Sequence, residues 1–183
     1  EPIWKSYIVE TTEPIFTPKQ CQMVIDKGMS LKKEEAKVGM NKPKGGLDTK
    51  KRITSISWIP FKDMPEMYRD IETTMLKANG NHFGFDGMRL TEVAQFTHYH
   101  TGGFYDWHMD NDVMGKHEPP VRKISMTLLL SDPATFEGGE LEFMSKGKTA
   151  KLKQGQAIFF ASWLQHRVKP VTKGERKSLV MWF

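Results

Sequence analysis

From about Phe85 to the end, the chain breaks into short apolar runs divided by turn residues. That pattern limits the fold more than any other feature of the sequence. Leu90 to Tyr99, Lys123 to Leu130, Glu140 to Phe143, Ala157 to Ala161 and Ser178 to Phe183 each have the length and content of a strand. Gly102-Gly103, Asp132-Pro133, Gly138-Gly139 and Lys173-Gly174 supply the turns between or around them. Several short strands at this spacing predict a β-sandwich or barrel.

The first part of the chain is mixed. Thr17-Pro18 reads as an N-cap and first helical position, opening a helix to about Lys27 that stops at Gly28. Cys21, Val24 and Ile25 fall at helical spacing on it. Pro65 opens a second helix over Glu66 to Ala78, with Tyr68, Ile71 and Met75 as its apolar stripe and Asn79-Gly80 as its stop. Ile53 to Ile59 reads as a strand closed by Pro60. Before it, Met40 to Arg52 combines Gly45-Gly46, Pro43 and basic residues, and fits either a solvated connector or a lid over a substrate. The expectation is a mainly β (α+β) fold in one domain, 1–183. Residues 1–84 form a supporting region whose helices pack outside, and 85–183 form the β core.

Composition narrows the function classes. The 183 residues are 38% hydrophobic and 27% charged, which fits a soluble globular domain. The longest apolar runs, such as Met126 to Leu130, are far too short to span a bilayer. Cys21 is the only cysteine, so no intramolecular disulfide can form, and this suits a reducing compartment. No charged-then-apolar leader opens the sequence, so a cytoplasmic location is expected. The net charge of +5 permits an acidic or nucleic-acid partner without requiring one, because no Arg-rich run accompanies it.

The strongest chemical signal is His108-Met109-Asp110, which on an extended strand would turn an imidazole and a carboxylate to the same face. His166 follows the apolar run 157–161 and precedes Val168-Lys169-Pro170. Two histidines and a carboxylate on one face of a metal leave its other positions open, the arrangement used by non-haem Fe(II) oxygenases. By spacing alone, the same residues also fit a core His108 and a surface His166. A rival pair, His98 and His100, has the same spacing of two. If Tyr99 points into the barrel, that pair points away from it and cannot share a metal with His108 unless the strand bulges.

Beyond the triad, the stretch Tyr99-x-x-Gly102-x-x-Tyr105-x-x-His108-x-Asp110 resembles the core signature of the prolyl-hydroxylase branch of the 2-oxoglutarate/Fe(II)-dependent dioxygenases. Arg122 to Asp132, Gly138-Gly139-Glu140-Leu141-x-Phe143 and His166-x-Val168-x-Pro170-Val171-x-x-Gly174-x-Arg176 keep that family's order. The resemblance covers roughly 85–183 and implies a double-stranded β-helix, the jelly roll whose mouth holds Fe(II). It implies His108, Asp110 and His166 as ligands and catalytic residues, and Arg176 as the anchor for the distal carboxylate of 2-oxoglutarate. A guanidinium fork pairs a carboxylate in a bidentate way and keeps its charge.

Arg176, Ser178, Val180 and Trp182 alternate and so share one strand face. Ser178 and Tyr99 are expected to add cosubstrate hydrogen bonds, while Trp182 and Arg122 line the substrate side. Core packing competes as a reading for Tyr99 and Trp182. Several relatives carry a cosubstrate-touching Tyr where this chain has Leu129, and Thr127 on the same face is expected to offer a hydroxyl instead.

The resemblance further implies O2 as cosubstrate, ascorbate as reductant, and a peptide or protein substrate with a target proline that is hydroxylated with release of succinate and CO2. Two alternatives stay open. One is a nucleic-acid-demethylating oxygenase of the same cofactor class, disfavoured because no aromatic-and-basic stacking platform surrounds the motif. The other is a non-catalytic jelly-roll module that keeps a metal, which would leave Arg176 without a purpose. No membrane partner is expected, and the sequence does not fix the oligomeric state.

Overall fold

The computed structural model describes residues 6–36, 51–111 and 120–183. In chain order it contains β1 (Ile8–Glu10), α1 (Pro18–Ser30), β2 (Glu34–Ala36), β3 (Arg52–Ile59), α2 (Pro65–Ala78), β4 (Ala94–Tyr99), β5 (Phe104–His108) and β6 (Ile124–Leu129). There follow β7 (Glu137–Gly138), β8 (Leu141–Phe143), β9 (Thr149–Ala150), β10 (Ala157–Ala161), β11 (His166–Val168), β12 (Val171–Lys173) and β13 (Arg176–Trp182).

Ten strands form a curled antiparallel sheet in the order β1-β10-β6-β13-β4-β3-β5-β11-β8-β9, with β2 paired to β3, and β7 and β12 make a separate two-stranded sheet. The eight-residue β3 makes the curl, because its two ends have different partners. Ser55 to Ile59 pair with β4, whereas Arg52 and Ile53 pair with β5. The sheet therefore folds over on itself, and two layers face one another as in a jelly roll.

Period-2 alternation sorts the central strands between two cores. Ile124, Met126 and Leu128 on β6, with Leu179 and Met181 on β13, meet α1 and α2 in one cluster that also holds Cys21, Val24, Ile71 and Met75. The opposite faces turn into the barrel, where Tyr99, Ile158, Phe160, Leu141, Phe143 and Val168 form a second cluster. β4, β6 and β10 are buried along their whole length; β10 is apolar throughout, whereas β4 and β6 carry buried polar residues such as Gln95, Thr97, Ser125 and Thr127.

Both helices lie close to the expected ranges, and their ends differ in an instructive way. Thr17 caps α1 as expected: its side chain accepts from Gln20 N–H, and the Gln20 side chain accepts from Thr17 N–H. The helix runs past Gly28 to Ser30. Gly28 is needed for a close approach and not for a stop, since a Cβ there would lie 2.3 Å from Cγ of Phe96. Its carbonyl also accepts from the Ser57 hydroxyl at 2.9 Å, which ties α1 to β3. After α2 the chain continues through one π-helical turn, Asn79–Phe83, and ends at Gly84 in the left-handed region, φ 75°. The α-helix itself ends at Ala78 with Asn79 as its C-cap, as expected, and the Asn79 side chain holds both backbone groups of Phe85.

Candidate metal centre and its surroundings

Strand register is what brings the candidate ligands together. His108 ends β5 and His166 begins β11, and the two are direct cross-strand partners. Their rings sit 4.2 Å apart between centroids. Asp110 arrives differently from the expectation, because β5 stops at His108 and Asp110 lies in the bend beyond it. Its backbone N–H donates to the Ser162 carbonyl at 2.9 Å, which turns the carboxylate back towards the two rings. Asp110 Oδ1 then lies 3.4 Å from Nε2 of both His108 and His166. The ligand atoms of all three fall within 4.8 Å of one another.

The second nitrogen of each ring fixes what the first can do. His108 Nδ1 lies 2.7 Å from the Asp106 carbonyl, and His166 Nδ1 lies 2.8 Å from the Leu164 carbonyl. A carbonyl only accepts, so each Nδ1 carries the proton and each Nε2 lone pair is left to face the centre. On the carboxylate, Ser125 Oγ donates to Asp110 Oδ2 at 2.6 Å and is itself 2.9 Å from Ser162 Oγ. Oδ2 is thereby engaged, and Oδ1 points inward. Such outer partners orient metal ligands and raise their basicity. Neither serine drew notice in the sequence, although Ser125 precedes Thr127 by two on the same face of β6.

Charge within the centre is strongly coupled. Burial works to raise the Asp110 carboxyl, but His166 and His108 together outweigh it and hold the group well below the usual carboxylate range. Burial likewise disfavours a charged His166, yet Asp110 pulls its pKa above the ordinary value. For His108 burial prevails and the pKa falls. The two imidazoles are thus shifted in opposite directions by one carboxylate and one buried setting.

A cavity of about 230 Å3 opens beside this centre. Tyr99 lines it; on the neighbouring strand Arg176 is 3% exposed, and its Nη1 donates to Ser178 Oγ at 3.2 Å. Arg176 is the cross-strand partner of the buried Tyr99, whose ring centroid lies 5.6 Å from the guanidinium carbon. Among the described residues, no carboxylate lies within ion-pair distance of Arg176. The expected turn at Gly138-Gly139 also makes room for it: a Cβ on Gly139, which has a φ of 67°, would approach Arg176 Cδ to 2.9 Å. Thr127 lines the cavity, and Leu129 faces Ser178 across β6 and β13.

The outer wall is aromatic and basic. Arg122 forms a bidentate pair with Glu92 at 2.7 and 2.8 Å, and its guanidinium lies 3.9 Å over the Trp182 ring. The indole nitrogen of Trp182 is buried without a partner. Opposite, Arg52 bonds Gln95 Oε1 at 3.0 Å and sits 4.5 Å over the Tyr105 ring. Tyr105 in turn stacks on His108 at 3.4 Å.

Arg52 corrects the expectation for the segment Met40 to Arg52. It belongs to β3 and is buried in the cavity wall, because the strand starts one residue earlier than its apolar content indicated. The remainder of that segment, up to residue 50, lies outside the described residues. His98 and His100 do point away from His108, as Tyr99 facing inward requires, and gather around Glu175. No helix among the described residues is long and apolar enough to cross a membrane.

Comparison with known proteins agrees with this architecture. Residues 94–183 match the 2OG-Fe(II) oxygenase superfamily model. A PKHD-type hydroxylase of Hyphomonas neptunium is 45% identical over 84 residues, covering 44% of this chain and 38% of that protein. One of Teredinibacter turnerae is 34% identical over 131 residues, covering 68% of this chain and 58% of that protein. The chain thus spans little more than half the length of the curated relatives it matches, or less.

Among solved structures, the viral collagen prolyl hydroxylase of Paramecium Bursaria Chlorella virus-1, in complex with 2OG, superposes with a TM-score of 0.72. The identity is 21%, and 97% of this chain and 95% of that one are covered. A Pseudomonas putida prolyl-4-hydroxylase gives 0.70 at 19% identity, over 97% and 91%. The curled sheet is accordingly the jelly roll of these enzymes.

Proposed function

The chain belongs to the 2OG-Fe(II) oxygenase superfamily, and from that premise we propose that it hydroxylates prolyl residues of a peptide or protein, with Fe(II), 2-oxoglutarate and O2. The observation that carries the reading is the shared aim of three side chains. Two Nε2 atoms with their Nδ1 protons committed elsewhere, and one carboxylate oxygen, converge at a cavity lined by Tyr99, whose cross-strand partner Arg176 is a buried guanidinium without a carboxylate partner among the described residues.

The donor set fits Fe(II). His108, Asp110 and His166 would occupy one face of the ion and leave the rest open to cosubstrate and O2. Held there, Fe(II) would supply O2 activation coupled to oxidative decarboxylation of 2-oxoglutarate to succinate and CO2. The chain's own work is positioning. Arg176, aided by Ser178 and Tyr99, would hold the distal carboxylate of 2-oxoglutarate, because a buried fork without a carboxylate partner is suited to receive one. Thr127 would offer a further hydroxyl where Leu129 has none. Trp182, kept in place by Arg122, would wall the substrate side and exclude water, with Arg52 and Tyr105 opposite.

The reading treats 1–183 as one catalytic unit, with 1–84 as its support. Ascorbate would serve as reductant and the cytoplasm as its location. Support for a peptide substrate comes from its structural neighbours, among them a viral collagen prolyl hydroxylase and a Trichoplax adhaerens prolyl hydroxylase in complex with a peptide fragment.

The test is succinate release from 2-oxoglutarate by the protein with Fe(II), ascorbate, air and a panel of proline-containing peptides. The mass of one added oxygen on a peptide, absent with His108→Ala/Asp110→Ala, is the expected result. Failure of the native protein to bind 2-oxoglutarate with Mn(II) in place of iron would reject the oxygenase reading.

A further inference from the structure

On the outer side of the barrel, His98, His100 and Glu175 form a second convergent set of ligands, and we propose that it is a binding site for a divalent transition metal such as Zn(II) or Co(II). Their ligand atoms lie within 4.8 Å of one another, the same limit that the three barrel-mouth ligands meet. Glu175 spans the two rings with separate oxygens. Oε2 lies 2.8 Å from His98 Nε2, and Oε1 lies 3.3 Å from His100 Nδ1. The ring centroids are 4.0 Å apart.

Two imidazoles and a carboxylate are a common donor set for these ions, and a solvent-facing site leaves the fourth position to water. His98 is 3% exposed and held on β4, so one of the three ligands is fixed before any ion arrives. Its Nδ1 is buried against the protein, which leaves Nε2 as the nitrogen able to bind. His100 and Glu175 are open to solvent and give the ion its entry.

Lys177 is the competing cation. Its Nζ lies 3.6 Å from Glu175 Oε2 and neutralises that carboxylate when no metal is present. Lys177 is a single ammonium with no second partner here, whereas a divalent ion would gain three ligands at once. The His98 Nδ1 lacks the outer hydrogen bond that both barrel-mouth histidines have, so this site should bind the more weakly of the two.

Its position gives it a consequence. His98 and His100 flank Tyr99, and Glu175 precedes Arg176, while Tyr99 and Arg176 are paired across the two strands. An ion outside would tie the end of β4 to the start of β13, behind the residues assigned above to 2-oxoglutarate. The cosubstrate role of those residues rests on the proposed function; the outer metal site does not.

The experiment is equilibrium dialysis of untagged protein against Co(II), together with the visible spectrum of the bound ion. The native protein should bind one more ion than His100→Ala, and Glu175→Gln should show the same loss. His108→Ala/Asp110→Ala should keep the outer ion, whose fewer ligands give stronger visible absorption than a six-coordinate site. Equal binding by the native protein, His100→Ala and Glu175→Gln overturns the proposal. So does loss of the outer ion in His108→Ala/Asp110→Ala. An unchanged ion count in that double variant, with loss in His100→Ala, would reject the barrel-mouth metal and leave the outer site standing.

Discussion

His108 and His166 lie directly opposite one another on β5 and β11, so a single strand register decides whether the two imidazoles can share an ion. A slip of one residue would send one ring to the other face of the sheet. The third group, Asp110, is positioned by Ser162 and Ser125 rather than by the strand. The centre therefore depends on residues from the loop after β10 and from β6 as much as on its own strand.

Ser125→Ala tests that dependence. The hydroxyl engages Asp110 Oδ2 at 2.6 Å, and its loss frees the carboxylate to turn. Affinity for Mn(II) should fall on the order of 10- to 100-fold, the usual effect of removing an outer partner. The fold should survive, since alanine fits where serine did. Titration calorimetry on native and variant protein reads the difference directly.

Arg176→Lys asks whether the fork or merely the charge matters. Lysine keeps the charge but offers no planar pair of donors, and it would lose the bond to Ser178 at 3.2 Å. The apparent KM for 2-oxoglutarate should rise on the order of 10- to 100-fold, as a charge-assisted hydrogen bond is worth about 1.5–3 kcal/mol. Mn(II) binding should be nearly unchanged. A parallel loss of both would mean that Arg176 supports the barrel and not the cosubstrate.

The sequence made some of this legible and hid the rest for physical reasons. Alternation along Ser178 to Phe183 revealed which residues share a strand face, because the side-chain period of two is strict. The strand β10 is equally plain, being apolar on both faces. Very short strands such as β7, β9 and β12 were invisible, since two or three residues carry no periodicity. Ser125 and Ser162 passed unnoticed because a buried serine reads as a neutral strand or turn residue until its partner is known. Arg52 reads as part of a charged loop from its neighbours in sequence, whereas burial in the cavity wall is a property of the fold.

Gly28→Ala separates two rules that point in opposite directions. In an exposed helix interior the change should stabilise by about 1 kcal/mol. Here the added Cβ would lie 2.3 Å from the Phe96 ring, which is itself fully packed between β4 and the helices. Overpacking of this kind costs about 1–3 kcal/mol. Net destabilisation is therefore expected, read as a lower denaturant midpoint with an unchanged slope.

Cys21 should be inert in the folded protein. It is completely buried on α1, and burial pushes its thiol up to about 11. Reaction with a thiol reagent at neutral pH should proceed only as fast as the protein unfolds, and should become immediate in denaturant. Fast labelling of native protein would show that α1 opens from the sheet well before the barrel does.

Metal binding should depend on pH through His166. Without a metal, Asp110 raises the His166 pKa above its ordinary value even though burial opposes the charge. The proton must leave before Nε2 can bind an ion, so affinity should weaken as pH falls through that raised value, by about tenfold per pH unit below it. Asp110 contributes no such slope there, because its own carboxyl is held well below the usual range. The stability of the metal-free protein runs the other way. A raised histidine pKa favours the folded state below the unfolded value, and that contribution is lost as pH rises through the folded one. Raising the pH should therefore strengthen Mn(II) binding while withdrawing the His166 contribution to metal-free stability. Mn(II) titrations in buffers of different ionisation enthalpy would count the proton released. A count of zero across the neutral range would show that the three side chains are already poised as neutral ligands.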